Sequence, residues 1–183
     1  MHDLRSSQTI SSTGSSLLPH LSSVQIRDLR TEVLVDAVTK AANPADVLVA
    51  LNGYQLGALR PDAVNALLTA NKQTAWALLH AGGEGALSVT QFQSLITGET
   101  GIADLDPRAM GGFLSVEAIL SLTTQEIASL SAPQFQALLA NPTLSKAIYN
   151  AGSGNGYWTA QQLQAVSLEA VSHINQDQYL EFA

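Results

Sequence analysis

Three acidic residues sit beside glycine-rich backbone: Glu84 in HAGGEGALSVTQ, and Asp104 and Asp106 in GETGIADLDPRAMGG. Hydrolysis of a glycosidic bond needs two carboxyl groups flanking that bond, one held protonated as acid and one ionised as base or nucleophile. A small cell-wall or polysaccharide hydrolase would therefore work through Glu84 or Asp106, yet no spacing in the chain pairs these acids. His80–Gly83 reads His-Ala-Gly-Gly, a composition found in oxyanion loops, and no Gly-x-Ser-x-Gly elbow accompanies it. His2, His20, His80 and His173 stand singly, without a metal-binding spacing such as His-Glu-x-x-His. His80 falls where a helix should end, and there an imidazole is favoured electrostatically without catalysing anything. These residues assign no catalytic group and no cofactor, and the reading leans away from an enzyme.

Two glycine-rich turns share a skeleton. His80–Gln91 and Ala151–Gln162 each place Gly at the sixth position, an apolar residue at the eighth and a helix-capping residue at the ninth; NGYQLGALRPDA, from Asn52, shares the first two features. This skeleton resembles an EF-hand loop, in which the glycine makes the sharp turn. The resemblance implies a degenerate calcium-responsive module, because the ligand positions have decayed. Calcium needs oxygen donors at the first, third, fifth and twelfth positions. Those slots hold His80, Gly82, Glu84 and Gln91 in one turn and Ala151, Ser153, Asn155 and Gln162 in the other. The candidates for metal contact reduce to Glu84, Ser153 and Asn155. The run Gly152–Gly156 could face an anion at a helix N-terminus, but no strand precedes it and no Gly-Lys-Ser/Thr follows, so it reads as a helix-joining turn.

Aromatic residues make up only 5% of the chain, so each matters. Trp76 lies within an apolar helical stretch and reads as core. Tyr157 and Trp158 precede a capping Thr159 and read as packing there, with an exposed binding anchor as the other use of such a pair.

The elements that position these residues announce themselves through one recurring phrase. Leu114–Leu138 is three eight-residue units, each opening with Leu followed by Ser or Thr. A Ser or Thr at the N-cap accepts from an orphan backbone N–H of the first turn. A Gln or Glu three residues on reaches back to the cap's own N–H, and apolar residues on either side staple the turn. Leu21-Ser22 with Gln25, Leu87-Ser88 with Gln91, Leu122-Thr123 with Glu126, Leu130-Ser131 with Gln134 and Trp158-Thr159 with Gln162 all fit, as does Ile174-Asn175 with Gln178. Asn43-Pro44 and Asn141-Pro142 place a capping Asn before a Pro at the first helical position, and Arg60-Pro61 does so with a poorer cap. Gly82, Gly98 and Gly152 follow periodic stretches as helix stops. Strand patterning is nearly absent. The expectation is all-α: about a dozen short capped helices, arranged as a compact bundle or a short solenoid.

A longer repeat underlies the short one. Leu51, Leu59, Leu67 and Leu68 meet Leu122, Leu130, Leu138 and Leu139 at an offset of 71. After a one-residue deletion, Asn71, Ala77, Ala81 and Gly82 meet Asn141, Ala147, Ala151 and Gly152. The expected organisation is a flexible segment over 1–20, helical units over 21–86 and 87–157, and capping helices over 158–183. GETGIADLDPRAMGG is expected to be an irregular stretch of the second unit. The phrase resembles the Leu-Thr-x-x-Gln repeats of some large bacterial surface or exported proteins, and that resemblance implies a helical structural or interaction module without catalytic residues.

Composition bounds the rest. Of 183 residues 46% are apolar and only 13% charged, about half the usual quarter, and the formal net charge is −7. No Lys/Arg cluster exists to neutralise phosphates, which argues against nucleic acid and anionic membranes. No apolar run reaches transmembrane length. Absence of cysteine removes disulfides and thiolate chemistry and leaves the compartment open. The Ser-rich start lacks an apolar signal-peptide core and resembles bacterial substrates exported without cleavage, so a bacterial cytoplasmic protein and an exported one both fit. The expected partner is another protein or a second copy of this chain.

Overall fold

The computed structural model describes residues 17–149 and 158–172. Among them it contains fourteen α-helices, two 3₁₀ turns and no strand. The helices are α1 (Ser23–Asp28), α2 (Thr31–Thr39), α3 (Pro44–Val49), α4 (Gly53–Gly57), α5 (Pro61–Ala70), α6 (Lys72–Leu79) and α7 (Val89–Ile96). After the 3₁₀ turn Ile102–Asp104 come α8 (Pro107–Phe113), α9 (Val116–Ser121), α10 (Thr124–Ser129), α11 (Ala132–Ala140), α12 (Pro142–Tyr149), α13 (Ala160–Gln164) and α14 (Leu168–Ser172). None exceeds three turns, too short to be stable alone in water, so their stability comes from packing.

The capping phrase does what its chemistry dictates. Ser22, Ser88, Thr123 and Thr159 each accept from a backbone N–H of the first turn, and the Gln or Glu at the third helical position accepts the cap's own N–H. At Ser131 the cap N–H donates to Gln134 Oε1 and the hydroxyl donates to the same oxygen. Asn141 accepts from Thr143 and Leu144. Asn43 differs from expectation: its side chain makes no cap bond and instead accepts from Gln73 Nε2 of α6. NGYQLG is also not a turn. Asn52 caps α4, with Gln55 completing the reciprocal pair. The stretch expected to be irregular, from Gly98, contains the 3₁₀ turn and most of α8, because Asp106 accepts from Ala109 N and Pro107 sits at the first helical position. The sixth phrase, at Asn175, lies outside the described residues.

Packing follows a constant rule. Counting the 3₁₀ turn as an element, each element lies on the third one after it. One row runs α1, α4, α7, α9, α12 and another α3, α6, α8, α11, α14. The third row runs α2, α5, the 3₁₀ turn, α10, α13, with Asn65 of α5 donating to Asp104 O of the turn. Side chains from all three rows merge into one core of Leu, Ala, Ile and Val, with Phe92 and Phe135 at its centre. Glycines let the rows close up: a Cβ on Gly98 would lie 2.1 Å from Gly57 O, and one on Gly111 2.6 Å from Ala137 O.

The glutamine of the phrase has a second use that explains the rows. Its oxygen serves the cap, and its Nε2 donates to the carbonyl of the Leu that precedes the helix three elements back. Gln55 reaches Leu21 O at 2.6 Å, Gln91 reaches Leu51 O at 2.9 Å, Gln134 reaches Leu105 O at 2.8 Å and Gln162 reaches Leu122 O at 2.8 Å. In two places without Gln another donor substitutes: Arg60 on Leu29 O and buried Thr100 on Leu59 O. A carbonyl just before a helix start points away from that helix. Once covered by the next layer it must be satisfied from that layer.

Candidate functional site

The acids singled out by the sequence are dispersed. Glu84 is exposed in the turn between α6 and α7, and only its backbone oxygen is engaged, accepting from Trp76 Nε1 at 3.3 Å. Asp104 Oδ2 accepts from Gly101 N at 2.8 Å, and Asp106 Oδ1 accepts from Ala109 N at 2.9 Å. Both aspartates thus tie down backbone N–H groups. Among the described residues no three His, Asp or Glu side chains converge in a metal-holding group. The twelfth position of the first turn, Gln91, already spends its amide on Ser88 N, Val49 O and Leu51 O. Ser153, Asn155 and Tyr157 lie outside the described residues.

Of the two tryptophans one departs from its expected place and one keeps it. Trp76 is 40% exposed rather than core; its ring stacks on His80 with centroids 3.5 Å apart and an interplanar angle of 15°. The cause is helix phase: Ala75, Ala77, Leu78 and Leu79 occupy the inward face of α6. His80 Nδ1 is 3.3 Å from Phe113 O, which can only accept, so that nitrogen carries the proton. Trp158 is 2% exposed, stacks near Phe135 and donates from Nε1 to Ile119 O at 2.9 Å, so it packs rather than serving as a surface anchor.

A polar cluster joins α2 to α5. Thr31 Oγ1 donates to Asp62, and Arg60 Nη2 reaches both Thr31 Oγ1 and Asp62. The hydroxyl bond, with Arg60 as a lesser contributor, holds the Asp62 carboxyl below its usual range. The group is open to solvent and anchors the start of α5.

A concave site that sequence reasoning missed lies on the first row. α1, α4 and the end of α7 enclose a depression of about 600 Å³. Beside it α4 and the end of α7 pack closely: Gly57 meets Gly98, Gly53 lies against the Ser94 side chain, and Glu99 N donates to Gly57 O at 2.7 Å. One end carries Arg27, 3.8 Å from Glu99 and 3.7 Å from Asp28. The rim carries Val24 and Tyr54, 54% and 87% exposed. The phrase contained a signal for these two. Both occupy the second helical position after the cap, and that slot points outward in every described copy: Val24, Tyr54, Thr90, Gln125, Pro133 and Gln161. An aromatic ring at a slot that is never buried is unoccupied by packing. Compared with protein-family models, with curated proteins and with solved structures, the chain gives no match.

Proposed function

We propose that the protein is a non-enzymatic binding or structural module built from two related helical units, residues 21–86 and 87–157, with 158–183 as a cap. The observation that carries this reading is the contrast between its acids and its concavity. Asp104 and Asp106 serve helix and turn starts, Glu84 stands apart, and the depression on α1, α4 and α7 holds an exposed Tyr54 with no acid–base pair beside it. Stacked short helices of this kind present continuous surfaces suited to partners. Duplication is supported by tertiary bonds that recur. Gln91 on Leu51 O corresponds to Gln162 on Leu122 O, and Leu87 N on Ala77 O corresponds to Trp158 N on Ala147 O. The competing hydrolase reading is tested with Asp106→Asn and Glu84→Gln. Asn caps a helix as well as Asp does, so the first variant keeps the fold and loses only the acid. Hydrolysis of a polysaccharide that disappears in either variant would overturn the proposal; absence of turnover in wild type and variants alike is the expected result.

A further inference from the structure

We infer that the depression on α1, α4 and α7 is a binding site for a neutral saccharide, with Tyr54 as its stacking platform; this rests on the binding-module reading above. The lining sets the ligand class. Its aliphatic part is Val24 and Ala58 alone, so no apolar pocket exists for the side chains of a peptide. Arg27 is flanked by Glu99 and Asp28, leaving the site without net positive charge, and the whole chain carries −7, so an anionic ligand is repelled. The remaining polar groups are hydroxyls, the Asn52 carboxamide and paired charges. Ser94 Oγ donates to Thr90 O at 3.0 Å and Thr97 Oγ1 to Gln93 O at 2.7 Å, which leaves their lone pairs free to accept from a ligand. Glu99 also accepts and Arg27 donates. A ligand that both donates and accepts through many hydroxyls, and has a C–H face for an aromatic ring, satisfies this set. Burial does not explain the exposed ring of Tyr54; ligand contact does.

The test is isothermal titration of the purified chain with cellohexaose, chitohexaose and maltohexaose, followed by two Tyr54 variants. One hexasaccharide should bind, Tyr54→Ala should weaken it by at least about tenfold and Tyr54→Phe should restore it, because the ring supplies the contact. Thermal melting of Tyr54→Ala should match wild type, since the side chain packs on nothing. Failure of all three saccharides to bind at millimolar concentration, or equal binding by wild type and Tyr54→Ala, would overturn the inference. A saccharide that binds through Tyr54 and is also cleaved would instead overturn the non-enzymatic reading and leave this site standing. A chain blind to all three that captures a second copy of itself would do the reverse.

Discussion

Replacing Gln91 by Glu separates the two uses of the phrase glutamine. A carboxylate keeps the cap, because Ser88 N needs only an acceptor, and capping statistics treat Gln and Glu as equals at this position. The tertiary use is lost. Gln91 Nε2 now donates at 2.9 Å to both Val49 O and Leu51 O. A net hydrogen bond contributes about 0.5–1.5 kcal/mol, so two lost bonds cost about 1–3 kcal/mol. The carboxylate oxygen would then face two carbonyl oxygens, one of them on Leu51, which is 1% exposed. Stranding those acceptors places the loss at the upper end, about 3 kcal/mol. Gln25→Glu is the control: it has the same reciprocal cap, but among the described residues its Nε2 meets no carbonyl. Its loss should stay within about 0.5 kcal/mol, as for other exposed substitutions. Urea unfolding followed by circular dichroism gives both values, and the Gln91→Glu deficit should shrink toward pH 4, where a protonated carboxyl can donate one of the two bonds. Equal small losses for the two variants would refute the stapling argument and leave Gln91 a cap residue only.

Four further outcomes are expected. Thr123→Ala should cost about 1 kcal/mol by removing the cap of α10; unchanged urea stability would mean that the helix does not depend on that start. Trp158→Ala should cost about 3–5 kcal/mol for an indole removed from the core, and Trp158→Phe clearly less, since the bond to Ile119 goes but most of the ring volume stays. Gly98→Ala should destabilise by about 2–3 kcal/mol, since its Cβ must displace the Gly57 backbone, whereas Gly112→Ala, with nothing within 4 Å, should stabilise by about 0.5–1 kcal/mol. The lowered Asp62 pKa contributes stability that is present above the unfolded carboxylate value and lost as pH falls through the folded one. Thr31→Val should therefore reduce acid resistance below about pH 4, and a midpoint of acid unfolding identical to wild type would contradict this.

Local chemistry made the helix starts legible. A cap, its reciprocal partner and a proline at the first helical position act within four residues, so the spacing in the chain is also the spacing in space. The all-α class and the starts of α1, α7, α10, α11 and α13 were readable on that basis. The starts of α2, α4, α6, α8 and α14 went unread; at Asn52 and Asp106 the glycines nearby signalled turns more strongly than the caps signalled helices.

The sequence by itself determined where most of the helices begin, since a cap and its partner act within one turn. It also held the repeated glutamine, but only half of its meaning. That Nε2 donates to a carbonyl some 29–40 residues away depends on which element lies over which, and no periodicity records that. Tertiary structure likewise decided the two tryptophans. α6 presents Ala and Leu inward and turns Trp76 toward water, while buried Trp158 donates to the Ile119 carbonyl on α9. The depression lined by Tyr54 is a product of three helices from separate parts of the chain. Side-chain type fixed the polarity of that surface; the stacking of α1, α4 and α7 fixed that there is a surface at all.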